Sequence, residues 1–312
     1  MSEPLQDKPI YVIAGPTASG KTALAVKLAL EVGGEVVNFD SVQIYRGIEV
    51  ATAKPSEKEM RGVPHHLIDY IHPSRNYTAA DWSADAREAI ADIESRGRTV
   101  VLVGGTGFYL RTLMNPLFDS PKTDETLRVR LRTLKDKHGP EHLHKMLRRV
   151  DADAARDLPE RDYIRVMRAL EVFFQTGKRI SEIRSEREGP PDFVKRMRIF
   201  VLDPPREELY AKINARAEAH FGAGLVEEVE ALRKEGLRDD TNALGAHGYR
   251  RVCEYLRGER TLDEAIEKTK QDVRNYAKRQ LTWFRREKDA IWLTGFGEED
   301  RVRAELFRIL ST

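Results

Sequence analysis

The stretch "GPTASGKT", residues 15–22, decides the fold class of this chain. It matches the pattern G-x-x-x-x-G-K-[ST] through Gly15, Gly20, Lys21 and Thr22. The apolar run "PIYVIA" precedes it and "ALAVKLALEV" follows it, so it joins a predicted strand to a predicted helix. That context distinguishes a phosphate-binding loop from an ordinary Gly-rich turn. We therefore predict a P-loop at this position.

The residue types in this loop suit an anionic ligand. Glycines allow several main-chain N–H groups to converge on one oxyanion, and the start of the following helix adds partial positive charge. Lys21 would neutralise the ligand, and the hydroxyl of Thr22 would bind Mg²⁺. The pattern fits a nucleoside triphosphate and also other diphosphates, so it leaves the ligand open.

Five β-rich runs alternate with helical patterns along the chain. Strands are predicted at 9–15, 34–40, 98–105, 196–203 and 289–295, and helices at 20–32, 80–96 and 261–288. Near-continuous apolar strands between helices are typical of a parallel sheet with helices on both faces. The last helix opens with Thr261 and Glu264 in capping-box spacing. The predicted fold class is α/β, with a P-loop parallel-sheet core.

A long section between the third and fourth strands lacks strand character. Its apolar residues recur at helical spacing in "LHKMLRRV" and "YIRVMRALEVFF", and "SEIRSEREGPPDF" (181–193) is typical of an exit loop. We predict a helical insertion domain over 118–196. The sheet core would then be discontinuous, made of 1–117 and 197–312.

The composition excludes several classes of protein. Lys and Arg number 53 against 51 Asp and Glu, a net charge of +2, so nucleic-acid binding would require local patches. Cys253 is the single cysteine, which excludes an intrachain disulfide and a thiolate zinc cluster. The first ten residues are polar, and no apolar run approaches the length of a membrane span. We expect a cytoplasmic, monomeric enzyme that binds no membrane.

Two polar side chains follow predicted strands. Asp40 ends "EVVNFD", and Thr106 follows "VVLVGG". Because open α/β sheets bind ligands at the carboxyl ends of their strands, these side chains and Gly15 are expected to converge. A phosphate loop, a carboxylate and a hydroxyl together indicate a group-transfer site. Alternatively, Asp40 and Thr106 each cap a helix.

Six motifs occur in order along the chain: "GPTASGKT", "DSVQIYRGIEVATAKP", "GVPHHLIDY", "VGGTGFYL", "RVMRALEVFFQTGKRIS" and "NYAKRQLTWFR". Together they resemble the tRNA dimethylallyltransferase (tRNA isopentenyltransferase) family from about residue 10 to residue 288. The resemblance implies transfer of the dimethylallyl group of dimethylallyl diphosphate to the exocyclic N6 amine of the adenine 3′ of the tRNA anticodon. It also implies that the loop binds the diphosphate leaving group.

The resemblance assigns a role to each expected site residue. Asp40 is the general base, and Thr106 and Arg216 act on the diphosphate. The expected diphosphate contacts, with Thr22 as the Mg²⁺ ligand, are Gly15, Pro16, Thr17, Ala18, Ser19, Gly20, Lys21 and Thr22. The expected tRNA contacts are Asp40, Ser41, Val42, Gln43, Thr106, Arg128, Ile164, Arg165, Val166, Met167, Arg168, Gly245, Ala246, His247, Gly248, Tyr249, Arg250, Lys278, Arg279, Gln280, Leu281, Thr282, Trp283, Phe284 and Arg285.

Other interpretations stay open at this point. Arg216 is either a diphosphate contact or a solvated helix charge, and the helix at 274–288 interleaves cations with aromatics, which suits RNA but also an ordinary amphipathic helix. The P-loop alone permits a small-molecule kinase. Relatives that prenylate free adenine nucleotides, or a non-enzymatic tRNA-binding protein, are further alternatives. The chain also departs from the family pattern at Val50-Ala51 and at His247.

Overall fold

A six-stranded parallel sheet organises the residues that the computed structural model describes, which are 8–117, 121–185 and 189–311. Its strands are β1 Ile10–Ala14, β2 Gly34–Asn38, β3 His65–His66, β4 Thr99–Gly104, β5 Met197–Asp203 and β6 Ile291–Thr294. They lie in the order β3-β2-β4-β1-β5-β6. The predicted α/β class and all five predicted strands are confirmed. The edge strand β3 was missed because two half-buried residues carry no pattern.

Fourteen α-helices accompany the sheet in the described residues. They are α1 Lys21–Val32, α2 Glu57–Met60, α3 Ala79–Ser95, α4 Gly107–Met114, α5 Glu125–His138, α6 Pro140–Val150, α7 Ala152–Asp157, α8 Tyr163–Thr176, α9 Ile180–Ser185, α10 Arg206–Gly222, α11 Leu225–Lys234, α12 Tyr249–Leu256, α13 Leu262–Phe284 and α14 Asp300–Leu310. Among these helices none is long and apolar enough to cross a membrane.

The central strands are buried along their whole length. Every residue of β1, β2 and β4 is inaccessible to solvent, because helices cover both faces of the sheet. Val12 and Leu102 project to one face and pack with Trp82 of α3. Ile13 projects to the other face and packs with Leu28 of α1. Each face therefore has its own hydrophobic core.

The ends of α13 show how local sequence sets helix length. Thr261 and Glu264 form the predicted capping box at its start. Its last helical residue is Phe284 rather than 288, because the next amides bond three residues back, Arg286 N to the Trp283 carbonyl at 3.1 Å and Glu287 N to the Phe284 carbonyl at 3.0 Å. Such tightening ends a helix and turns the chain towards β6.

The described chain divides into two compact units. One lies within Met1–Met114 and Pro191–Thr312, and the other within Asn115–Pro190. The predicted boundaries were 118 and 196; the later one falls elsewhere because Asp192–Arg196 form a short 3₁₀-helix that leads directly into β5. The predicted exit loop at 181–193 is wrong over its first part, where α9 continues to Ser185. Residues 186–188 lie outside the described residues.

The second unit has a hydrophobic core of its own. Helices α5, α6, α7, α8 and α9 contribute to it, and its fully buried members include Leu143, Leu147, Val166 and Leu170. The helical spacing of "LHKMLRRV" and "YIRVMRALEVFF" produced these buried faces, as predicted.

Candidate active site

The Gly15–Thr22 loop connects the carboxyl end of the central strand β1 to α1. Gly15 has φ 149°, and a Cβ there would lie 3.1 Å from Leu202. Ala18 has φ 63°, a left-handed conformation that costs a non-glycine residue about 1–3 kcal/mol. Gly20 is the N-cap of α1 with φ 79° and no side-chain cap. The first amides of α1 are therefore left for an anionic ligand.

Two side chains of the loop lack ordinary surroundings. The Lys21 ammonium donates a hydrogen bond to the Pro16 carbonyl at 2.7 Å. Burial lowers the pKa of Lys21 to about 8; the Asp40 carboxylate raises it and Arg216 lowers it further. The Ser19 hydroxyl is fully buried and has no hydrogen-bond partner in the described residues. An orphaned buried hydroxyl beside a half-buried cation fits a loop shaped for a ligand.

A polar cavity of about 520 Å³ opens over this loop. Residues 17–23 form one side of it, at the carboxyl edge of the sheet where such folds bind ligands. The charged residues that line it are Lys21, Asp40, Lys54, Glu59, Lys212, Arg216 and Glu298. The predicted convergence of the loop with Asp40 is therefore observed.

Asp40 begins a tight turn that its own carboxylate stabilises. Its Oδ1 accepts from the amides of Val42 at 2.9 Å and Gln43 at 3.4 Å. Within the described residues no donor contacts Oδ2. The buried Asn38 accepts from the Asp40 amide at 3.1 Å and donates to the Leu67 carbonyl at 3.0 Å, which fixes the turn. Asp40 thus has a capping role and also one oxygen available for a proton.

Thr106 supports the same turn from the end of β4. Its Oγ1 accepts from the Ser41 amide at 3.1 Å and donates to the Ser41 hydroxyl at 3.3 Å. Tyr276 of α13 also interacts with Thr106, and burial together with the Asp40 carboxylate raises the pKa of Tyr276 to about 12. The side chain of Thr106 is therefore engaged across the site. Its role towards the diphosphate stays a prediction.

A second, smaller cavity of about 150 Å³ lies beside the first. Ile213, Ala217 and Val273 give it an apolar lining. Four residues line both cavities: Thr17, Asp40, Thr52 and Arg216. The two departures from the family pattern, Ala51 and His247, also line the second cavity.

Arg216 lies inside the site. It projects from α10, is half-buried, and donates a hydrogen bond to the Thr17 hydroxyl. Burial lowers the pKa of its guanidinium, and the Asp40 carboxylate opposes this change. The alternative of a solvated helix charge is therefore wrong.

The expected tRNA contacts of the second unit differ in accessibility. Ile164 is 64% exposed, and Arg165 lies beside it on the first turn of α8. Arg128 and Arg168 both bond the carboxylate of Glu171, which is fully buried. Val166 and Met167 lie in the core of this unit, 0% and 6% exposed, so the prediction that they touch tRNA is wrong for this structure.

The segment 245–250 also divides into buried and exposed residues. Gly245 and Arg250 are exposed, while Ala246 is half-buried. Tyr249 is fully buried; its hydroxyl donates to Glu228 at 2.9 Å and accepts from the Ala51 amide at 3.1 Å. Tyr249 and the buried Gly248 therefore offer no surface to a tRNA, which corrects the prediction.

On α13 the helical period separates the predicted contacts. The exposed ones are Lys278, Arg279, Thr282 and Arg285. Lys278, Leu281 and Arg285 share a face and line a third cavity of about 370 Å³, whereas Arg279 lies 5.8 Å from the ring of Tyr276. Trp283 is half-buried against Phe108, with Arg111 over its ring.

Two predicted contacts on α13 are corrected. Gln280 is 4% exposed and Phe284 is fully buried in the core. Because a contiguous helical motif turns through all directions, some of its residues must face inwards. The amide of Gln280 bonds the diphosphate loop instead of facing solvent: its Oε1 accepts from the Thr17 amide at 2.8 Å.

Four residues at the cavities were not predicted as site residues: Asn38, Lys212, Tyr276 and Glu298. Tyr276 precedes Gln280 by one helical turn, so the periodicity of "NYAKRQ" was a usable signal. Lys212 and Glu298 carry no motif, and only the fold brings them together, at 3.6 Å.

The structure identifies limited means of holding a metal. Among the described residues no group of three or more His, Cys, Asp and Glu side chains is arranged around a common point. Thr22 does line the polar cavity. Mg²⁺ in proteins often combines one or two side-chain ligands with phosphate oxygens and water, so the residues present fit an ion that arrives with its ligand.

Comparisons with known proteins agree with this geometry. A family model described as IPP transferase matches residues 43–287. A tRNA dimethylallyltransferase of Geobacter metallireducens is 45% identical over 293 residues, 94% of each chain. The solved tRNA isopentenylpyrophosphate transferase of Bacillus halodurans is 37% identical with a TM-score of 0.71, covering 98% of this chain and 96% of that one. A eukaryotic dimethylallyltransferase, described as acting on tRNA, is 28% identical with a TM-score of 0.80, covering 97% of this chain and 80% of that one.

Proposed function

The chain belongs to the IPP transferase family, and we propose that it is a tRNA dimethylallyltransferase. It would transfer the dimethylallyl group of dimethylallyl diphosphate to the N6 amine of the adenine 3′-adjacent to the tRNA anticodon. The observation that carries this proposal is the position of Asp40 on the boundary between a polar phosphate cavity and an apolar cavity. A kinase would need no apolar cavity at that boundary.

The two cavities match the two ends of a prenyl diphosphate. The diphosphate would bind the amides at the start of α1, Lys21 and Arg216, while the five-carbon chain would face Ile213 and Val273. The allylic carbon would then lie near Asp40. This arrangement separates the charged leaving group from the hydrocarbon that it leaves.

The reaction needs one bond made, one broken and one proton moved. The N6 lone pair forms a bond to the allylic carbon, and the carbon–oxygen bond breaks with its electron pair on diphosphate. Lys21 and Arg216 stabilise the charge that develops on the departing oxygen. The proton of the amine passes to Asp40 Oδ2, the carboxylate oxygen without a protein donor in the described residues.

The adenine must leave its stack to reach the cavity. Extrusion of a base costs a few kcal/mol, which contacts elsewhere on the tRNA must offset. Exposed cations for those contacts are Arg165, Arg250, Lys278, Arg279 and Arg285. A cytoplasmic monomer remains our expectation for this enzyme.

We further propose that Mg²⁺ is required, bound by the Thr22 hydroxyl and the diphosphate. The ion would supply additional charge stabilisation to the leaving group. Removing the ion with a chelator should therefore abolish turnover, and Thr22→Ala should raise the Mg²⁺ concentration that gives half-maximal rate.

The test is direct. The protein is incubated with unmodified tRNA and dimethylallyl diphosphate labelled in the prenyl group, and the label is located by nuclease digestion and mass spectrometry. We expect label on the adenine beside the anticodon and one intact pyrophosphate released per label. Label on free adenine nucleotides, or inorganic phosphate released from ATP without prenylated tRNA, would overturn the proposal.

A further inference from the structure

Gln280 joins the two loops that bound the polar cavity. It lies on α13 and is 4% exposed. Its Oε1 accepts a hydrogen bond from the Thr17 amide at 2.8 Å, and its Nε2 donates to the Gly105 carbonyl at 3.0 Å. One buried side-chain amide therefore bridges the loop after β1 and the loop after β4.

Only a side chain with both a donor and an acceptor satisfies these partners. A main-chain N–H only donates and a carbonyl only accepts, so a carboxylate would suit Thr17 but oppose the Gly105 oxygen. The close approach also requires the glycine, because a Cβ on Gly105 would lie 2.1 Å from Nε2 of Gln280. The amide is therefore fitted to this position in length, orientation and chemistry.

The bridged segment is the part of the loop least able to hold its own shape. Arg216 of α10 bonds the Thr17 hydroxyl while Gln280 of α13 bonds the Thr17 amide. Ala18, with φ 63°, follows at once. If Thr17 were released, Ala18 would relax towards an ordinary conformation and the amides after it would change direction.

We propose that Gln280 is a positioning residue, which fixes the diphosphate loop against the Thr106 loop and so makes binding of the leaving group depend on α13. This inference rests on the proposed function. The exposed side of the same helix carries Lys278 and Arg279, which we expect to contact tRNA. Acceptor binding on one side of α13 would thus stabilise the loop on its other side.

The experiment compares Gln280→Met with the matched control Gln271→Met, an exposed glutamine on the same helix. Gln280→Met keeps the approximate volume and removes both hydrogen bonds. Gly105→Ala displaces the amide from the other side, and Gln280→Glu keeps only the acceptor. Each full-length variant is measured for pyrophosphate binding by calorimetry, for tRNA binding, for the steady-state constants of both substrates and for thermal unfolding.

We expect Gln280→Met to lower kcat/KM for dimethylallyl diphosphate by about 10²-fold, the usual effect of misplacing a binding group by about an ångström. Pyrophosphate binding should weaken in parallel, while the tRNA dissociation constant changes less than about threefold. Gly105→Ala should reproduce this loss, and the double variant should be no worse than either single one, since both break the same contact.

Several results would overturn the inference. If Gln280→Met lost tRNA affinity and kept pyrophosphate affinity, Gln280 would be a tRNA contact. If it matched Gln271→Met, or if its only change were a lower unfolding temperature, it would have no positioning role. Should the methionine variant fail to fold, Gln280→Glu and Gly105→Ala give the same comparison. Pyrophosphate binding needs no acceptor, so a protein that binds pyrophosphate without prenylating tRNA would refute the proposed function alone.

Discussion

Affinity for dimethylallyl diphosphate should fall above pH 8, because Lys21 loses its proton there. Burial holds the pKa of Lys21 at about 8, so the ammonium is charged below that pH and neutral above it. If binding requires the charged form, the dissociation constant rises about tenfold between pH 7 and pH 9. Diphosphate binding would restore the charge and take up about half a proton at pH 8.

Calorimetry at fixed Mg²⁺ concentration and without tRNA measures both quantities. Titrations in buffers of different ionisation enthalpy give the protons taken up, which should approach zero at pH 6.5. Two other groups at the cavities do not interfere, since the pKa of His220 is lowered to about 4 and that of Tyr276 is raised to about 12. Lys21→Arg is the matched control, because a guanidinium stays charged across this range.

The reasoning fails if the dissociation constant is flat from pH 7 to pH 9.5 and no proton is taken up at pH 8. It also fails if Lys21→Arg shows the same loss of affinity above pH 8, since another group would then be titrating. A loss that appears only above pH 10 would mean that burial does not perturb Lys21.

Three further variants test the rest of the site. Asp40→Asn should lower turnover by about 10²–10⁴-fold with tRNA binding within a few-fold, and near-normal turnover would remove Asp40 from the chemistry. Replacing Lys278 and Arg279 by Ala should flatten the log–log salt dependence of tRNA binding by roughly 0.7–0.9 per contact; an unchanged slope would leave both residues merely solvated. Glu171→Gln should destabilise the second unit by about 3–5 kcal/mol in thermal unfolding, because Arg128 would lose a fully buried partner, and an unaltered unfolding profile would contradict that coupling.

Local sequence was sufficient to predict the sheet and the diphosphate loop. The strand pattern, the glycines and the lysine of "GPTASGKT" act within one strand–loop–helix unit, so their geometry follows from neighbouring residues. Asp40 and Thr106 could be placed at the site because all parallel strands end at the same edge. The second cavity could not be predicted, since Ile213 and Val273 are ordinary apolar residues of two helices that only the fold brings together.

The errors on α13 have a physical cause. Resemblance is carried by contiguous stretches, but a helix changes direction by about 100° at each residue. A stretch such as 278–285 therefore mixes exposed cations with residues that face inwards. Gln280 and Phe284 were taken as tRNA contacts for that reason. A polar residue on the buried side of a helix was the available signal that Gln280 serves another partner.

The charges around the polar cavity also account for the expected need for Mg²⁺. Two of the four cations that line it are already paired, Lys54 with Glu49 and Asp69, and Lys212 with Glu298 at 3.6 Å.

The remaining two cations, Lys21 and Arg216, have no ion pair among the described residues, and Asp40 contributes an opposing charge between them. A diphosphate carries more negative charge than this small excess offsets. Asp40 cannot be neutralised in advance, because it must be ionised to accept the proton of the amine. The additional positive charge must therefore come with the substrate, which is why chelation should stop turnover even though both cations remain in place.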